Sequence, residues 1–325
     1  MMLNKKVQKL LDGKGGNYIF PFFWQRGESE AVLQEYMRVI HESNIGAVCV
    51  ESRPHPDFCG EGWWQDMDII LDEARKRNMK VWILDDSHFP TGFANGAMES
   101  QPDELCRQSL CCRSIPIRDG EALHLEQEEL LHPLPFQKNM AEQYMMNGPQ
   151  REFADDRLFC ICARESGSNQ IVDLRPYICG DCLDWTAPAG SWTVYLLHLS
   201  RNHGYHRSYI NMMDKQSCKV LIDAVYEPHY AHYREDFGTT IAGFFSDEPE
   251  LGNGHLYDIN DPYGGPHDYP WSRELELELQ ERLGDNYEFR LPLLWENNSD
   301  PAETAKLRHV FMDVVTKLVR EDFSE

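Results

Sequence analysis

No stretch of this sequence approaches the apolar length that crosses a membrane, and its N-terminus, MMLNKKVQKLLDGKGG, starts charged without the apolar core of a signal peptide. A membrane partner is not expected, and a cytoplasmic location is. Basic residues are scarce: 31 Lys and Arg stand against 54 Asp and Glu, a formal net charge of −23 that repels phosphate backbones. Nucleic acid is therefore not an expected partner. The sequence also lacks an internal repeat, a low-complexity tract, a phosphate-cradling glycine pattern, and any HxH or HExxH spacing at a strand end or on a helix.

What is present is ordinary for a folded protein of 325 residues, with 42% hydrophobic and 26% charged residues. That length buries a core large enough for one barrel-sized domain or two smaller ones without disulfide staples. Of the ten cysteines, Cys49 and Cys218 sit in apolar runs and read as buried thiols. Cys179 and Cys182 form a CxxC with Cys160 and Cys162 upstream, the composition of a structural zinc site. Packing is the favoured reading, because Cys160 and Cys162 share one face of an alternating segment and Gly180-Asp181 is a two-residue turn signal.

Hydrophobic periodicity gives the organisation. Aromatic, β-prone residues from 18 to 24 precede Val32, Leu33, Tyr36, Met37 and Ile40 at helical spacing. Residues 45–50 form a buried-strand run, followed by Trp63, Trp64, Met67, Ile70, Leu71 and Ala74 on one helical face, where at least one tryptophan faces the core. A third strand covers 81–84 and a fourth 240–245, the latter after a helix containing Pro228. Apolar strands alternating with amphipathic helices predict a parallel sheet covered by helices. Residues 104–200 change to short alternating segments, an inserted antiparallel β-subdomain.

The expected fold is thus α/β: a partial (β/α) TIM-type barrel of about four units. Its domains are 1–103, with the first three βα units; 104–200, the β-insert; and 201–325, with the fourth unit and later helices. Half a barrel leaves two unpaired edges, so a downstream domain or a second chain completes it, or the sheet stays open.

In a parallel β/α fold, ligands lie beyond the carboxyl ends of the strands. The four predicted ends carry Trp24; Glu51, Arg53 and His55; Asp85, Asp86 and His88; and Asp247 and Glu248. A single such carboxylate is as readily a helix cap or an ion-pair partner. Several converging on one mouth crowd negative charge and raise at least one pKa, which suits general acid work. Aromatic residues interleave with these acids, among them Phe22, Phe89, Tyr257, and Tyr205 and Tyr209 beside His206, as a sugar-binding surface requires. The long polar loop from 249 to 270 is of a length that usually carries function. His55, Asp85, Asp86, His88 and Asp247 also contain metal-ligand types; calcium, which needs only oxygens, is favoured there over a transition metal.

The strings Phe20-Pro21-Phe22-Phe23-Trp24, Val81-Trp82-Ile83-Leu84-Asp85-Asp86 with Phe89-Pro90-Thr91-Gly92-Phe93-Ala94-Asn95-Gly96, and Phe244-Phe245-Ser246-Asp247-Glu248-Pro249 resemble barrel glycoside hydrolases of the α-L-rhamnosidase type. Within the insert, Val172-Asp173-Leu174, Leu183-Asp184-Trp185 and Pro188-Ala189-Gly190-Ser191-Trp192-Thr193-Val194 resemble the β-insert of the same proteins. The resemblance runs from about residue 17 to the end, with the motifs in matching order. It implies O-glycosidic bond cleavage, with a catalytic carboxylate at the end of the fourth strand. Glu248 matches that role, with Asp247 beside it, and a second carboxylate comes from a later strand.

On this reading Trp24, Glu51, Arg53, His55, Asp85, Asp86, His88, Tyr205 and His206 bind a carbohydrate substrate, and no cofactor is needed, calcium being the one ion left open. Two alternatives stay beside it: a truncated barrel that binds carbohydrate without cleaving it or assembles with a partner chain, and a metal-dependent hydrolase of another bond.

Overall fold

A computed structural model of the chain describes residues 5–12, 19–135, 150–168, 170–204, 206–251, 268–296 and 300–325. Its strands in chain order are β1 (Phe22–Gln25), β2 (Ala47–Ser52), β3 (Lys80–Leu84), β4 (Gln108–Ile117), β5 (Ala122–Leu125), β6 (Arg157–Glu165), β7 (Ile171–Asp173), β8 (Ile178–Cys179), β9 (Cys182–Thr186), β10 (Trp192–Ser200), β11 (Ile241–Phe245) and β12 (Tyr269–Trp271). Two compact units divide the chain: Met1–Ala97 with Val220–Pro249, and Met98–Lys219 with Glu250–Glu325. The architecture is mixed α/β, with parallel and antiparallel sheets and no closed barrel among the described residues. Nor is any helix among them long and apolar enough to cross a membrane.

The first unit is built on a parallel sheet in the order β1-β2-β3-β11. Trp24 lies opposite Glu51, Val50 opposite Ile83, and Leu84 opposite Phe245, so the four carboxyl ends share one edge. Helices precede or link these strands. Glu30–Glu42 buries Leu33 and Met37, four residues apart and hence on one face. Glu61–Arg77 buries Trp63, Met67, Ile70, Leu71 and Ala74; it ends on three basic residues that suit the negative end of its dipole, and on Asn78 in the left-handed conformation. Trp63 is the core-facing tryptophan, while Trp64 stacks on His232 with ring centres 4.0 Å apart. Before Pro228 the helix is irregular: Ile222–Tyr226 widens into a π-helical turn and Glu227–Tyr233 resumes as α-helix, since proline has no N–H to close the normal bond.

Alternation along the strands separates two faces. Phe23, Val48, Val50, Val81 and Ile83 are buried, and Phe23 and Phe244 meet Tyr36 and Tyr226 of the helical layer. The opposite row holds Phe22, Trp24, Cys49, Glu51, Trp82 and Phe245, with Phe20 stacked on Trp82. At Gly243 a Cβ would come within 3.2 Å of the Trp82 ring, so glycine lets β11 lie close against β3 there. On this side Phe22 and Phe245 are 5.5 Å apart between ring centres. They belong to the two edge strands, whose backbones a flat sheet would hold roughly 14 Å apart at three strand spacings. The sheet is therefore curled, concave toward these rings.

The second unit holds a five-stranded sheet, β12-β4-β10-β6-β7, antiparallel throughout, and a three-stranded one, β5-β9-β8. β6 and β10 are buried on both faces. Cys160, Cys162, Tyr195, Leu197 and Leu199 pack with Leu275 and Leu279 of helix Arg273–Leu283 and with Leu307, Phe311 and Val314 of helix Pro301–Val319. Ile161, Ala163, Val194 and Leu196 pack instead with Leu123, Leu125, Leu183 and Trp185 of the small sheet. Cys160 and Cys162 thus share a face as packing residues, and Gly180-Asp181 turns the β8–β9 hairpin, in which Cys179 pairs with Cys182.

Candidate active site at the strand ends

Polar side chains follow each parallel strand where the backbone leaves the ladder. Trp24, Glu51, Arg53 and Asp247 come together there, joined by Phe89. The Arg53 guanidinium forms an ion pair with Glu51, lies 3.9 Å from the Asp247 carboxylate, and sits over the rings of Trp24 and Phe89 at 5.6 and 5.5 Å. Trp24 and Phe89 are exposed, whereas Glu51 is fully buried. Burial pushes the Glu51 carboxyl above its usual range; the Arg53 charge opposes this and that of Asp247 adds to it. Asp247 is raised as well, by burial and then by the charge of Glu248, against the pull of Arg53.

Glu248 is exposed and has a φ of +42°, the left-handed region that non-glycine residues rarely occupy. Strain of this kind costs on the order of 1 kcal/mol and clusters at functional positions. The backbone before it is pinned: the Asp247 N–H donates to Thr91 Oγ1 at 2.9 Å, and the Thr91 N–H donates to the Asp247 carbonyl at 3.0 Å.

Other predicted residues are taken up by protein contacts. Asp85 accepts the hydroxyls of Thr91 and Tyr226, each at 2.6 Å, and that of Ser246. Its carboxyl is raised by burial, with the three hydroxyls opposing. Asp86 accepts backbone N–H groups from Ser87 and Asn95 at 2.8 Å and from Gly92 and Ala94 at 2.9 Å, and so holds the loop that carries Phe89. His55 is buried: Nδ1 accepts the Asp57 N–H at 3.1 Å, which leaves Nε2–H to donate to Asp66 at 3.1 Å. Asp85, Asp86 and His55 thus commit their polar atoms to protein groups, and Thr91 links two of the acids, its Oγ1 accepting the Asp247 N–H while its hydroxyl donates to Asp85. His88 is exposed, its ring edge-on to Phe93 at 4.5 Å. His206 lies in the second unit, with Nδ1 2.7 Å from Glu250 and its ring stacked on Tyr209. Tyr205, Tyr257 and most of the 249–270 loop lie outside the described residues.

Sequence reasoning missed Tyr226, Thr91 and Ser246. Tyr226 reads as part of an apolar helical face, so its periodicity conceals the hydroxyl. Ser246 and Thr91 carry only proximity to Asp247 and to the Asp85-Asp86 pair as a signal.

No protein-family model matches the chain, and no curated protein matches it. Among solved structures, a rhamnosidase from Novosphingobium sp. PP1Y is similar with a TM-score of 0.47 and 9% identity, over 94% of this chain and 45% of that one. The chain thus spans under half the length of that structure, and a match this slight decides neither fold nor chemistry.

Proposed function

We propose that this chain is the front part of a β/α-barrel glycoside hydrolase, with Glu248 as its general acid. The observation that carries the reading is the Arg53 cluster: one cation between the carboxylates of Glu51 and Asp247, faced by the rings of Trp24 and Phe89. The C–H faces of a sugar pack on such rings while Arg53 donates to its hydroxyls. Glu248 donates the proton to the glycosidic oxygen, and Asp247 is the neighbouring carboxyl that keeps its proton to higher pH.

A second carboxylate, which activates water or attacks the anomeric carbon, comes from the rest of the barrel, supplied by a downstream domain or a second chain. The curl of the parallel sheet supports the barrel reading. The motif strings resemble those of α-L-rhamnosidase-type enzymes, which makes an α-L-rhamnoside the first substrate to test, and the reading invokes no cofactor. The compartment proposed is the cytoplasm.

A panel of aryl glycosides offered to the longest natural form of the protein tests this reading. Turnover of an aryl α-L-rhamnoside is expected; failure on every aryl glycoside rejects hydrolysis. The second reading, carbohydrate binding without cleavage, is favoured by the same exposed rings and Arg53, and predicts saturable sugar binding with no turnover.

A further inference from the structure

The CxxC hairpin has no part in the site described above. On the pleated β5–β9 pair, Leu123, Leu125, Leu183 and Trp185 point into the core, so His124, Cys182 and Asp184 point outward. His124 and Asp184 are direct cross-strand partners, and Cys182 precedes Asp184 by two residues on the same face. The ligand atoms of these three side chains all lie within 4.8 Å of one another, the one such group of three or more found among the described residues.

We propose that His124, Cys182 and Asp184 bind a zinc-class divalent transition metal. Nitrogen, sulfur and oxygen donors together suit such an ion and leave a fourth position for water or for the thiol of Cys179 across the hairpin. His124 Nδ1 is 2.7 Å from Asp184 Oδ1, the side from which it ligates, and its other nitrogen is 3.0 Å from Glu126. A carboxylate accepting the far N–H is the usual device that orients a metal-binding imidazole. Glu126 is itself fixed by the capping box of helix Gln127–Leu131. The Cys182 thiol reaches Asp184 Oδ2 at 3.8 Å. On binding, the thiol proton and the imidazole proton on Nδ1 leave to solvent, and metal–sulfur and metal–nitrogen bonds replace the hydrogen bonds to Asp184. The strands beneath hold the three donors in place beforehand, which spares the ordering that a flexible loop would require. This arrangement differs from the four-cysteine set that spacing alone suggests, because Cys160 and Cys162 face the other side of the five-stranded sheet.

Cobalt is the probe, added to the full chain under reducing, oxygen-free conditions, since a cobalt–thiolate bond gives a near-ultraviolet charge-transfer band. A saturable band at one equivalent is expected, displaced by zinc, lost or at least halved in Cys182→Ser, and weakened roughly tenfold or more in affinity in His124→Ala. No saturable band in the parent chain, or one undiminished in Cys182→Ser, overturns the proposal. Zinc should also raise the melting temperature of the parent chain, a readout that needs no variant. An unchanged melting temperature at saturating zinc counts against the site.

Discussion

Phe22 and Phe245 meet edge to face at 5.5 Å from the two edge strands of one four-stranded sheet. Curvature of the sheet brings them together. On the same edge Arg53, on the loop after β2, reaches Asp247 after the end of β11, although β3 lies between those strands.

A double-mutant cycle of Phe22→Ala and Phe245→Ala measures that curl. The pair should show a coupling of about 0.5–1.5 kcal/mol in urea unfolding, the usual worth of an aromatic pair beyond its buried area. A coupling indistinguishable from zero would mean that the sheet lies flatter in solution.

The left-handed backbone at Glu248 leads to an opposite expectation for stability and for function. Glu248→Gly relieves the steric strain, so stability should hold or rise by up to about 1 kcal/mol while turnover is lost. Destabilisation by more than that amount would show that the position is not strained.

Much of the first unit was legible because its residues repeat two simple periods. The apolar runs that became β2, β3 and β11 are each followed, directly or after one serine, by an acid, and that junction marks where a buried strand meets a loop. The fate of each acid was not legible, because Glu51, Asp85 and Asp86 look alike in sequence. They differ in which neighbour arrives: a guanidinium for Glu51, three hydroxyls for Asp85, four backbone amides for Asp86. Likewise the helical period of Leu307, Phe311 and Val314 says that a face is buried, but not that it lies with Cys160 and Leu197 of the antiparallel strands.

Asp86 has a measurable task on this account. Asp86→Ala leaves four buried or half-buried N–H groups without their acceptor, and should cost about 2–4 kcal/mol or free the loop locally. Hydrogen exchange at Gly92, Ala94 and Asn95 separates the outcomes from no effect: faster exchange is expected, and unchanged protection contradicts the role.

His229 predicts the direction of acid sensitivity. Trp63 Nε1–H donates to its Nε2 at 2.9 Å while its Nδ1–H donates to the Val225 carbonyl at 2.7 Å, so the buried ring is neutral. Burial pushes its pKa down to about 4 from an ordinary 6.5. Below 6.5 the unfolded chain takes up the proton first, so this contribution is intact above 6.5 and is lost as the pH falls toward 4. His229→Gln should flatten the stability profile between these values relative to the parent; parallel profiles would contradict a buried neutral ring.

The central claim stands or falls on turnover by Glu248→Gln in the longest natural form of the protein. The substitution keeps size and hydrogen bonding but removes the transferable proton, so kcat/KM on an active aryl glycoside should fall by about a thousandfold, within the range for a lost general acid, at an unchanged melting temperature. Turnover within a few-fold of the parent would contradict it.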